Sequence, residues 1–270
     1  MNNLVQRANE LVKQLPLPEA KNPGAALLVK SMPRLVQYLP DNMAARQFCM
    51  ALVQEANKLD SDVVPISVAN SALACAIVGL IPGPALGHAY LVPFKNKGQK
   101  MCTFVPGYKG FLELAYGASW LADCQPEVIL EGEEFLHWMD ESGPKLSHNI
   151  PVNRKLMHQN VVGAYCVWHS RHGGKGIEVV QRSELDKVDT QKNVWASEYV
   201  AMAKKTPVRR ASKLWRQTRG LALAVQLDEQ QEQGEVQEVE GVKITDVIAT
   251  SESVPVEIDL DTLSETTEED

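Results

Sequence analysis

No segment of the chain approaches the roughly 18 consecutive apolar residues that a membrane span requires. The opening MNNLVQRANELVKQL also lacks the apolar centre of a secretory leader. Both absences point to a cytoplasmic protein with no membrane partner. Cysteine is sparse, with five residues at positions 49, 75, 102, 124 and 166. An odd number, widely spaced and mostly among apolar neighbours, gives neither a disulfide framework nor zinc-ligand spacing, so the thiols read as reduced core groups. No GxxxxGK[ST] occurs, and GGKGIE has neither the spacing nor the hydroxyl residue of a phosphate-binding loop, which argues against ATP-driven chemistry. His169 and His172 stand at i, i+3 in or beside a strand, where that spacing does not converge on a metal. Glu131, Glu133 and Glu134 have no partner Asp or Glu-x-Lys element with which to build a two-metal nuclease, and read as a solvated strand end.

The most telling absence is of negative charge. Between Glu198 and Asp228 there is no acidic side chain, yet seven basic ones: Lys204, Lys205, Arg209, Arg210, Lys213, Arg216 and Arg219. The chain as a whole carries net −7, but residues 227–270 hold 15 Asp/Glu against one Lys, which leaves residues 1–226 at net +7. A basic body joined to an acidic tail points to nucleic acid or an anionic membrane surface. A merely solvated helix would interleave Glu with its Lys and Arg.

Length and 44% apolar content fit one large core or two modest ones. Residues 1–60 read as surface helices broken by LPLPEAKNPG and YLPDN, the clearest being MAARQFCMALVQEANKL. ISVANSALACAIVGL is apolar on all sides and reads as a buried helix stopped by Gly79. AYLVPF, KMCTFVP, CQPEVILEG, NVVGAYCVWH and GIEVVQR read as five strands, with Gly173, Gly174 and Gly176 supplying positive φ to a hairpin loop. WASEYVAMAKK reads as a helix, and Thr206 followed by Pro207 as the N-cap and first residue of another. At about 100° per residue, Val208, Ala211, Trp215, Thr218, Ala222 and Val225 then share one face, while Arg209, Lys213 and Arg216 lie opposite. After Leu227 the composition is that of a disordered segment. The expected organisation is a core over 1–227 and an acidic tail over 228–270.

Three segments are candidates for holding nucleic acid. The basic stretch offers Lys204, Lys205, Arg209, Arg210, Lys213 and Arg216 to phosphates. PGYKGF, after a strand and opening a helix, offers backbone amides at the turn that Gly107 opens, the Lys109 charge and Tyr108 as a stacking face. Its GYKG also matches the GXXG clamp of KH domains, although that clamp lies between two helices; the alternative is a tight turn with a core tyrosine. PFKNKGQK carries Lys95, Lys97 and Lys100 on a hairpin, either as a finger gripping a backbone or as a soluble tip. Two other function classes stay open at this point, a KH-like RNA or single-stranded DNA module and a metal-dependent exonuclease.

Three blocks, GLIPGPALGHAYLVPF, FVPGYKGFLELA and WASEYVAMAKKTPVRR, resemble in order and spacing the RecT family of phage and prophage single-strand annealing recombinases. The likeness runs from about Met43 to Arg210. Leu86, Gly87, His88, Tyr90, Leu91, Pro93 and Phe94 match the family signature; Gly107, Tyr108 and Gly110 match the turn; Lys204, Lys205, Arg209 and Arg210 match the basic block. Ile81 departs from the acidic residue often found before Pro82, and Lys109 stands where the family often has arginine. The resemblance implies an α+β fold, a small antiparallel sheet with a β-β-β-α core flanked by helices, assembled into rings or helical filaments with DNA in a basic groove. It implies annealing without ATP and no cofactor, with Mg2+ arriving only through DNA. The implied partners are single-stranded DNA and the annealed duplex, further copies of the chain, a companion exonuclease and the host single-strand-binding protein.

Overall fold

The computed structural model describes residues 17–40, 43–188, 192–235 and 237. Helix α1 (Pro23–Leu35) runs into a 3-10 turn and is followed by α2 (Ala45–Ala56) and α3 (Pro65–Val78). Strands β1 (Ala89–Asn96) and β2 (Gln99–Pro106) lead to α4 (Tyr108–Gly117). Then come β3 (Leu121–Leu130), β4 (Glu134–Asp140), β5 (Gly143–Asn149), β6 (Val161–Ser170) and β7 (Lys175–Gln181). The described part ends with α5 (Arg182–Val188), α6 (Lys192–Ser212) and α7 (Arg219–Glu232).

Helix α3 has the form its sequence predicts. Pro65 opens it, almost every face is buried, and Gly79 closes it at φ +82, a conformation that costs glycine little. Around it α1, α2, α4, α7 and the β1–β2 hairpin close the main core, which includes Leu28, Phe48, Leu73, Phe104, Phe111 and Leu221. Each such side chain, fully buried, contributes about 1.5–3 kcal/mol. Strands β3, β6 and β7 form an antiparallel sheet in the order β3-β6-β7, and α6 lies across all three. This is a three-stranded sheet covered by α6, with the short α5 between them, and it corresponds to the expected β-β-β-α unit. Val128, Leu130, Val161, Ala164 and Val180 of the sheet pack on Leu185, Tyr199 and Ala203 to make a second core.

Four sequence expectations change. The described residues hold seven strands instead of five, because β4 and β5 pair as a hairpin inserted between β3 and β6. Of the three hairpin glycines only Gly173 has a left-handed φ, +84. Gly176 is required by contact instead: it pairs with Trp168, and an added Cβ would lie 2.3 Å from the indole ring. The helix expected to begin at Pro207 begins at Lys192, kinks at Glu198 (φ −126, ψ 35) and runs through Pro207. Thr206 is not its cap; its Oγ1 donates to the Met202 carbonyl at 3.2 Å.

The same helix stops at Ser212, and α7 starts afresh at an N-cap, Thr218, whose Oγ1 accepts from the Leu221 amide. The phase is thereby reset. Leu221, Ala224, Leu227, Asp228 and Gln231 face inward, while Ala222 is exposed. Helix α7 also crosses the expected tail boundary at 227. Farther on, the Gln237 amide closes on β2 as a paired strand would, its Oε1 accepting from Phe104 N (2.8 Å) and its Nε2 donating to Phe104 O (2.7 Å) and Leu227 O (2.8 Å). Residues 238–270, expected to be disordered, lie outside the described residues.

Candidate nucleic-acid interface

The basic stretch, acid-free in sequence, is not acid-free in space. Lys205 Nζ meets Asp228 Oδ1, and Arg209 reaches Asp228 (3.5 Å), Glu229 (3.8 Å) and Glu232 (2.8 Å), all from α7. Lys213 also pairs with Glu229. Lys204 meets Glu127 of β3 at 3.0 Å, and Arg210 meets Glu184 of α5 at 2.8 Å and Glu178 of β7 at 3.9 Å. Lys205 and Arg209 are 2% and 7% exposed. Charges so buried are tolerable only when paired. Lys204, Lys205, Arg209 and Arg210 therefore do not form the open groove the sequence predicts; they clamp α6 to the sheet and to α7. Arg216, past the end of α6, does not share a helix face with Arg209. It is exposed and forms no ion pair among the described residues, and the same holds for Arg219.

At PGYKGF the helix begins as expected, with Gly107 as the N-cap of α4. The two glycines have a packing reason. The loop before β1 crosses directly over the first turn of α4, so that a Cβ on Gly107 would sit 2.3 Å from Gly87 O and one on Gly110 would sit 2.1 Å from His88 O. The Gly107 amide donates to His88 O at 2.9 Å. Because α4 follows β2, this is a strand-to-helix turn and not the helix-to-helix clamp of a KH domain. Tyr108 is not an open stacking face, since it packs partly buried against the main core. The side chains presented at this corner are Lys109, Tyr90 and Leu86; the Tyr90 hydroxyl and the Lys109 methylenes both lie beside Gly87. Burial lowers the His88 pKa, with Lys109 adding to the effect and Glu113 opposing it. Burial also raises that of Tyr90, as do Glu198, Tyr108 and Glu55.

The third candidate is the β1–β2 hairpin. Its turn residues Lys97 (φ +47) and Gly98 (φ +87) are both left-handed, the requirement of a tight two-residue turn. Lys95 and Lys97 are exposed and unpaired among the described residues, whereas Lys100 is held by Asp60 and by Asp62 at 3.1 Å. Of the basic residues in the three candidate segments, those accessible and without an ion-pair partner among the described residues are thus Lys95, Lys97, Lys109, Arg216 and Arg219.

Sequence reasoning missed a buried polar network beneath the β4–β5 hairpin. Glu133, expected to be solvated, has a side chain only 4% exposed; it contacts His148 Nε2 at 3.0 Å and Arg154 at 3.3 Å. His148 Nδ1 lies 3.1 Å from the Tyr165 hydroxyl, and Arg154 also pairs with Glu127 at 2.6 Å. Burial pushes the Glu127 pKa up, but the Val128 amide, Lys204 and Arg154 outweigh it and hold the carboxyl below its usual range. Among the described residues no cluster of His, Cys, Asp or Glu could hold a metal ion, and no helix is long and apolar enough to cross a membrane.

The RecT family model matches residues 43–241, most of the chain. This chain belongs to the RecT family. It is also similar to Protein RecT of Escherichia coli (strain K12), at 29% identity over 216 residues that cover 73% of this chain and 76% of that protein. The family's work is single-strand annealing in recombination. The RecT match extends past Arg210 and takes in the whole of α7, so the acids that neutralise the basic block fall inside the family region. The signal for that pairing was present in sequence only as Asp228, Glu229 and Glu232 immediately following the acid-free stretch.

Proposed function

We propose that this RecT-family chain binds single-stranded DNA by its phosphates through Lys95, Lys97 and Lys109, leaves the bases outward, and anneals complementary strands without ATP. The observation that carries the reading is the RecT match over residues 43–241, which contains every one of those cations. Their exposure and lack of carboxylate partners among the described residues support it. Base pairing supplies specificity, and the protein supplies charge neutralisation. Lys204, Lys205, Arg209, Arg210 and Lys213 shape the surface through their ion pairs, and Gly107 and Tyr108 fix Lys109 in place. The working form is a homo-oligomer, ring or helical filament, in the cytoplasm of a bacterial host. No cofactor is required, and Mg2+ enters only with DNA. The acidic segment beyond Gln237 serves contact with a companion exonuclease and the host single-strand-binding protein.

Two labelled complementary oligonucleotides, mixed with the protein in the absence of ATP and of Mg2+, test this. Annealing well above the protein-free rate is expected. A protein that binds but does not accelerate pairing, or that shortens the labelled strand once Mg2+ is added, overturns the reading.

A further inference from the structure

The β4–β5 hairpin projects from the sheet with apolar side chains exposed on both faces. Leu136 and Trp138, two apart on β4, are 57% and 46% exposed on one face, and Met139 is 72% exposed on the other. A two-stranded hairpin is marginal in water by itself, and exposed clusters of large apolar residues mark interaction surfaces. The rim is acidic: Glu134, Asp140 and Glu141 are exposed, and Lys145 on the facing strand stands 3.9 Å from Asp140. Such an arm repels a polyanion, so nucleic acid is not its partner.

The opposite combination exists elsewhere on the same chain. Between α6 and α7, Leu214 is 69% exposed and flanked by Lys213, Arg216 and Arg219. A cleft of about 270 Å³ opens between α6 and α7, walled by Lys213, the residue before Leu214, and by Gln217, Ala222, Val225, Gln226 and Glu229. The Glu229 carboxylate in that wall is already held by Lys213 and Arg209, which leaves Arg216 and Arg219 as the uncompensated charges.

We propose that the β4–β5 hairpin is the arm by which one copy of this chain holds the next, its Trp138 and Met139 end seated in the α6–α7 cleft of a second copy. Asp140 and Glu141 then face Arg216 and Arg219. The apolar end of the arm meets Ala222 and Val225 within a polar wall, acid meets base, and the two surfaces lie on different elements, so the contact is head-to-tail and propagates into a ring or an open filament. The inference rests on the oligomer named under the proposed function, but its test reads assembly and not annealing.

The full-length protein is compared with Asp140→Lys/Glu141→Lys and with Arg216→Glu/Arg219→Glu by mass photometry, with and without single-stranded DNA. Each reversal is expected to raise the concentration needed for assembly on the order of a hundredfold. An equimolar mixture of the two is expected to restore multimers. Trp138→Ala/Met139→Ser provides a charge-neutral check; its melting curve should match that of the wild type, because both side chains lie outside the core. Unchanged multimers in the reversals, or failure of the mixture to rescue, overturns the proposal. So does loss of assembly on removing residues 238–270 while the arm variants still assemble, which would make the acidic segment the occupant of the cleft. Absence of annealing by a wild type whose multimers depend on the arm would overturn the function and leave the contact standing.

Discussion

Lys205 and Asp228, 23 positions apart, form an ion pair in which the side chains are 3% and 0% exposed. The pair joins the most basic helix to the helix after it and removes a cation from any DNA surface. Removing one partner of such a pair strands the other charge in a dry site. Asp228→Ala is expected to lower the unfolding free energy by about 3–5 kcal/mol, read from urea denaturation. Lys205→Met/Asp228→Leu together should cost much less; equal losses would mean that apolar packing and not charge holds the contact.

Exposure separates the cations that can meet phosphate from those that cannot. Each phosphate contact with a single strand contributes about −0.7 to the slope of log K against log salt. Lys97→Ala and Lys109→Ala are each expected to flatten that slope by about that amount, while Lys205→Ala lowers stability and leaves the slope as it was. Fluorescence anisotropy over a salt series measures it. A flattened slope for Lys205→Ala would place that side chain on the DNA after all.

Gly110 accepts no side chain where it stands. A Cβ 2.1 Å from the His88 carbonyl oxygen must displace the loop or the helix. Gly110→Ala is expected to cost about 1–3 kcal/mol, the usual penalty of overpacking, and to weaken DNA binding by moving Lys109. Gly117→Ala, in the same helix with open space around it, is the control and should be neutral or mildly stabilising.

One carboxyl of the α6–α7 contact, that of Glu232, is raised toward neutrality. Burial first, then Asp228, pushes the Glu232 pKa up to about 7, against the pull of Arg209 and Lys205. A carboxyl raised in the folded state favours folding most below its unfolded pKa, and that contribution fades as pH rises through about 7. The stability of the wild type relative to Glu232→Gln should therefore fall between pH 5 and pH 8. Thermal melts across that range give the difference, and a rise with pH would contradict the assignment.

All five cysteines are buried and unpaired. Burial pushes the Cys49 and Cys102 thiols up to about 12, leaving almost no thiolate at neutral pH. Native protein should react with a thiol reagent only at its unfolding rate, whereas urea should release all five; rapid labelling of the native state would show that a core element opens.

What was legible in the sequence was local. Pro65 and Gly79 bracket α3, and short segments rich in β-branched and aromatic residues mark five strands. The local signal at Thr206-Pro207 placed the helix start there and Thr218 on its packed face, whereas tertiary contact sets a new start at Thr218 and turns Leu221, Ala224 and Leu227 into the core. The β4–β5 hairpin was missed because EFLHWMD is exposed on nearly every residue and so lacks the in-out alternation that identifies a strand. The neutralised basic block was missed for a different reason. Glu127, Glu178 and Glu184 lie far from it in sequence, and no periodicity within residues 199–227 can reveal partners brought by a sheet.

The loop carbonyls that occupy the space of two absent Cβ atoms have a metric consequence. Strand β1 leaves directly from His88 and β2 returns directly into Gly107, so both ends of the hairpin are fixed at the point where the loop crosses α4. Lys97 at the hairpin tip and Lys109 on the helix are thereby held as two marks on one ruler. Any polymer that touches both must match that spacing with its own repeat.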